Sequence, residues 1–127
     1  MNAKTIIYWI CTVLISALMA MSAFMSLTGK PEAAAGAAHL GYPGYFVYIL
    51  GTWYALGVAA LLAPGFRLLK EWAYAGIMFA FTSAVVSHLS SGDGMGKAAV
   101  PGVALLILAA SYFLRPADRR VAEAPHA

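Results

Sequence analysis

The chain has 127 residues, 62% of them hydrophobic and 10% charged, with a mean hydropathy of +0.78. A soluble domain carries about 25% charged and about 45–50% apolar residues, so neither a soluble globule nor a disordered segment fits, and the length allows one domain. The net charge of +3 comes from eight scattered Lys and Arg that form no stripe for nucleic acid, and a single cysteine, Cys11, excludes both an intrachain disulfide and a C-x-x-C redox pair.

The charges divide the chain. Twenty-five residues without Asp, Glu, Lys or Arg separate Lys4 from Lys30, 34 separate Glu32 from Arg67, 21 separate Glu71 from Asp93, and 17 separate Lys97 from Arg115. A spanning helix needs roughly 17–25 mostly apolar residues. The four gaps predict an all-α polytopic membrane protein, a bundle of four transmembrane helices over residues 1–114.

The first spanning helix is expected over residues 5–27. Its apolar run of 23 residues outlasts the roughly 7–15 of a secretory signal, so it is read as a retained helix although Ala20-Met21-Ser22 loosely resembles a cleavage site. Pro31 suits a first helical position and Glu32 a first turn, while Gly41 suits a stop. A short interfacial helix over residues 31–40 follows, closed by Gly41-Tyr42-Pro43-Gly44. The second spanning helix is expected over 45–63, ended by Pro64-Gly65, and the third over 71–90, followed by the glycine-rich turn around Asp93. The fourth is expected over 98–114, with Pro101 early enough not to break it. Residues 115–127 read as a polar, frayed tail without a lipidation motif.

Lys and Arg accumulate on cytoplasmic loops. One side holds Lys4, Arg67, Lys70, Arg115, Arg119 and Arg120, and the other only Lys30 and Lys97. Both termini are therefore expected in the cytoplasm of a bacterial-type inner membrane, with the interfacial helix and Asp93 outside.

Membrane helices associate through small residues and a few hydrogen bonds. The second spanning helix offers Gly51, Ala55, Ala59 and Ala63 at four-residue spacing. The third offers Ala73 or Gly76, then Ala80, Ala84 and finally His88. That stripe is read as a packing face aiming His88 into the bundle, with Trp53, Tyr54, Ser83 and Ser87 beside it. Each polar group also has a plainer reading. The aromatics Tyr8, Trp9, Tyr45, Tyr48, Trp72, Tyr74 and Tyr112 suit interface anchoring. Thr82, Ser83 and Ser87 can bond the carbonyl four residues back, and Cys11 can simply pack. His88 is an ionisable residue in a spanning segment, hence a functional candidate or a histidine satisfied near the headgroups by Asp93 or a carbonyl. His39 lies on the same side. His39, His88, Asp93 and Glu32 lack metal-ligand spacing, so no metal is expected. No pair of histidines at matching depth suits a haem, His126 carries no signal, and no catalytic constellation is present.

Several blocks are similar to the DoxX-like family of small four-helix membrane proteins. They are His39-Leu40-Gly41-Tyr42-Pro43, Tyr48-Ile49-Leu50-Gly51 through Leu56-Gly57, and Leu61-Leu62-Ala63-Pro64. Leu69-Lys70-Glu71-Trp72-Ala73-Tyr74-Ala75-Gly76, Ser87-His88-Leu89 with Gly92-Asp93, and Ser111-Tyr112-Phe113 continue the series. The resemblance covers essentially the whole chain, and Glu71 to Gly76 is its most specific piece. It implies association with a quinone or another lipophile, since the family name comes from a subunit of an oxidoreductase passing electrons from thiosulfate to quinone. Many relatives look as if they carry Lys or Glu at the position of Tyr54, and some an acid at Ala80, so proton relay is not implied here.

The leading expectation is a ligand site for a quinone-like or other lipophilic molecule, with His88 as donor, Trp53 and Tyr54 as walls, His39 and Tyr42 as lid groups, and Ser87 and Asp93 nearby. Such a protein suits an accessory subunit of a membrane oxidoreductase. The rival readings are a scaffold or chaperone for another membrane protein, and an isomerase or reductase acting on a lipophile. The small-residue faces also suit a homo-oligomer.

Overall fold

The computed structural model describes residues 1–121. Five α-helices follow one another: α1 (Ala3–Leu27), α2 (Pro31–His39), α3 (Phe46–Leu62), α4 (Arg67–Ser90) and α5 (Gly94–Phe113), with a 3₁₀ turn at Ala117–Arg119. α1, α4 and α5 are long and apolar enough to cross a bilayer, and α3 is a shorter apolar helix of 17 residues. The chain is a small polytopic helical membrane protein.

The four long helices form a ring in which α1 packs on α3 and α5, and α4 on α5 and more loosely on α3. α1 and α4 present stripes that alternate by three and four residues. α1 buries Tyr8, Thr12, Ile15, Met19, Ala23 and Ser26, and α4 buries Lys70, Tyr74, Ile77 and Phe81. This spacing is the left-handed seam of a bundle. Ile15, Met19, Leu61, Ile77, Phe81, Ala104 and Leu108 fill the centre. Gly51 lets α1 and α3 approach, since a Cβ there would lie 2.9 Å from the Ser26 Cβ.

The expected small-residue face of α3 differs from the observed one. Gly51 packs on α1, but Ala55 and Ala59 are exposed, and α3 turns Val47, Gly51, Ala60 and Leu61 inward. On α4, Gly76 is exposed and Ala80 half-buried, while the buried stripe runs one position away through Ile77 and Phe81. Bulk decides this: four-residue steps of Ala and Gly leave the larger side chains beside them to fill the centre.

Two helices start four residues earlier than the sequence suggests. α4 begins at Arg67 because the Lys70 ammonium turns back onto the end of α3, donating to the carbonyls of Ala60 at 2.8 Å, Gly65 at 2.8 Å and Ala63. These are acceptors at a helix C-terminus and the turn beyond it, where a cation also meets the negative end of the dipole. Lys70 thereby holds the Gly65-Phe66 turn, in which Phe66 sits at φ 50°, a left-handed conformation unfavourable to a bulky residue. α5 begins at Gly94, so Pro101 lies well inside it, and the carbonyl of Lys97 loses its usual donor while the helix continues.

The start of the expected polar tail folds under the bundle. Arg119 is buried, donating to the Tyr8 hydroxyl at 2.6 Å and the Leu61 carbonyl at 2.6 Å, with its guanidinium 4.7 Å from the Trp9 ring. Arg115 bonds Glu71 at 2.7 Å and lies 4.0 Å from the Tyr112 ring. Within the bundle the Ser111 hydroxyl joins Thr12 and Tyr74, each at 2.7 Å. Residues 122–127, including His126, lie outside the described residues.

Candidate functional site

At the end of the bundle opposite the N-terminus, three helices finish in the same way. After α1, Gly29 and Lys30 donate to Ser26 and Met25; after α2, Gly41 and Tyr42 donate to Ala38 and Ala37; after α4, Gly92 and Asp93 donate to Leu89 and His88. These are Schellman closures, and each glycine takes the positive φ the motif requires: 72°, 88° and 76°. The closures aim side chains as well as chain direction. Tyr42 is turned back toward α4, and Asp93 returns over His88.

Asp93 then joins two histidines. Its Oδ2 lies 2.7 Å from His88 Nδ1 and its Oδ1 2.5 Å from His39 Nε2. An ionised carboxylate only accepts, so both ring nitrogens donate, leaving His88 Nε2 and His39 Nδ1 as the remaining ring nitrogens. The Asp93 side chain is 6% exposed, and that of His39 51%. These two hydrogen bonds hold the carboxyl below the usual carboxylate range, the His88 bond contributing most. The triad is a clasp: it ties the end of α2 to the α4–α5 turn. Beside it the Tyr42 hydroxyl meets Ser87 Oγ at 2.7 Å, and the Tyr42 ring stacks on Phe46 at 4.3 Å.

Below the clasp, α2 covers a cavity of about 580 Å³ walled by α1, α3 and α4. Its lining is mostly apolar, with hydroxyls from Ser22, Ser26, Tyr42, Tyr54, Ser83 and Ser87, and Glu32 as its charged residue among the described residues. Gly36 of α2 faces into it, and a Cβ there would meet nothing within 4 Å. A space of this size and lining can take a small lipophile with a few directed hydrogen bonds.

Of the residues singled out in the sequence, Tyr42, Tyr54 and Ser87 line this cavity. His39, His88 and Asp93 come together in the clasp at its edge. Trp53 does not join them: it is 66% exposed and walls a groove between α3 and α4. His88 Nδ1 is engaged by Asp93, the plainer of the two roles expected for this histidine, and Nε2 is its other ring nitrogen. Sequence reasoning missed Ser22 and Ser26, whose signal was their position on the inward stripe of α1, and Gly36, which leaves the space under α2.

Residues 10–111 match the DoxX-like family. The chain belongs to this family. No curated protein and no solved structure matches it. In this DoxX-like chain, the blocks around Tyr42 and His88 supply the clasp, and the block from Leu69 to Gly76 supplies Lys70 and Glu71 at the other end. The described residues hold no group of three or more His, Cys, Asp or Glu able to bind a metal ion.

Proposed function

We propose that this DoxX-like membrane protein binds one quinone-like or other flat lipophilic molecule beneath α2, and serves a membrane oxidoreductase as an accessory, ligand-holding subunit. The observation that carries this reading is the cavity of about 580 Å³ under α2, within the roughly 300–1,000 Å³ of small-molecule sites and lined as they are. Tyr42 and Ser87 stand at its polar edge, and the Asp93 clasp holds its cover in place. The Lys and Arg bias supports termini in the cytoplasm and α2 on the far side of the inner membrane, an orientation in which the ligand sits toward the outer leaflet.

The test uses Gly36→Leu, which fills the cavity from a helical position where Leu is a better helix former by nearly 1 kcal/mol. Protein purified from native membranes is extracted with organic solvent and analysed by mass spectrometry. The wild type is expected to carry a discrete lipophile near one per chain, reduced about tenfold or more in Gly36→Leu. Bulk membrane lipid alone in both samples overturns the proposal.

A further inference from the structure

The cavity does not end at the foot of α2. Leu50, Tyr54 and Ala80 wall it, and the same three residues wall a groove of about 390 Å³ between α3 and α4. That seam is the loosest in the ring, because α3 packs chiefly on α1 and α4 chiefly on α5. Small residues keep it open: Ala60, Ala73 and Gly76 line it, and a Cβ on Gly76 would meet nothing within 4 Å. The groove continues to Leu69 and Trp72 near the start of α4, so from Ala80 it runs about 16 Å at 1.5 Å per residue.

We propose that cavity and groove form one bipartite site for a single-tailed, uncharged amphiphile, with the headgroup under α2 and the tail along the α3–α4 seam. The inference rests on reading the cavity as a ligand site and goes beyond it by assigning the ligand class. Three features support that class. The two spaces share the walls Leu50, Tyr54 and Ala80, so a molecule that passes Tyr54 reaches both. A single groove accepts one chain, unlike the paired chains of a phospholipid. Glu32 at the cavity disfavours a carboxylate or phosphate head, whereas the hydroxyls of Ser22, Tyr54 and Ser83 suit a carbonyl or hydroxyl. Lipid is as apolar as a leucine side chain, so the tail gains by close packing against the groove rather than by leaving water.

The test uses full-length protein in lipid nanodiscs and benzoquinones carrying no, one, two or four isoprene units. Trp53 and Trp72 both line the groove, so quenching of tryptophan fluorescence reports occupancy, with concentrations expressed per lipid to remove simple partitioning. In the wild type, affinity is expected to rise about fivefold between the tail-less quinone and the two-unit compound. It then levels off once the tail outruns the roughly 16 Å of groove. Gly76→Leu fills the groove from an exposed helical position and is expected to abolish this rise while keeping tail-less binding. Gly36→Leu is expected to remove both. An unchanged rise in Gly76→Leu overturns the bipartite site and leaves the cavity reading standing. Unchanged binding of every compound in Gly36→Leu overturns the cavity reading, and the bipartite site with it.

Discussion

Lys70→Met is expected to destabilise the folded protein by about 3 kcal/mol or more, because it strips the donor from three carbonyls at once. The methionine keeps most of the apolar stem, so the loss reports the ammonium rather than packing. Lys70 is fully buried, and its partners belong to the end of α3 and the turn that reverses the chain into α4. Reversible unfolding in mixed micelles measures the effect. A loss below about 1 kcal/mol would show that water replaces the ammonium at those carbonyls. Arg119→Met is expected to be costly for a related reason. Both residues donate to the Ala63 carbonyl, and each single variant leaves the other donor in place, so the double variant should lose more than the sum of the single variants.

Asp93→Ala should release the end of α2. Two histidines lose their common acceptor, and amide exchange at Ala37, Ala38 and His39 is expected to quicken by about an order of magnitude. The effect of pH follows from the lowered Asp93 value. A carboxyl depressed in the folded state contributes stability that is present above its unfolded value of about 3.9 and disappears as pH falls through the folded value. The wild-type α2 amide spectrum should therefore hold at about pH 4 and change only at lower pH. Asp93→Asn serves as the control: a transition that survives unaltered there does not belong to Asp93 and contradicts the clasp.

How much was legible in the sequence depends on what kind of force left a mark in it. The charge-free runs are direct records of the bilayer's refusal of charge, and the four long helices follow from them. The glycines at 41 and 92 record positive φ, and they place Tyr42 and Asp93. Less legible was Lys70. As a cation beside a turn it looks solvated, and only the carbonyls at the end of α3 explain why it is buried and why α4 begins at Arg67. Arg119 is similar: its partners Tyr8 and Leu61 lie far away in sequence, so a charged tail reads as frayed when its first part is a plug. The Ala and Gly stripes mislead in the opposite direction. Their spacing suggested tight helix contacts, yet outside Gly51 they mostly border exposed surface and the α3–α4 groove, where absent side chains leave room rather than contact.

The family match and the helical fold establish what kind of membrane protein this is, and the space under α2 carries the functional reading. That space can be interrogated without knowing its occupant. A photoreactive benzophenone side chain introduced at Ser83, which lines the cavity, is compared with one at Val103, which is exposed on α5. After irradiation in native membranes, the intact adducts are weighed by mass spectrometry. A bound lipophile predicts a single discrete adduct mass at Ser83, absent when Gly36→Leu is combined with it, and a ladder of ordinary phospholipids at Val103. The same phospholipid ladder at both positions would mean that the cavity holds only membrane lipid, and the ligand-holding role would fall.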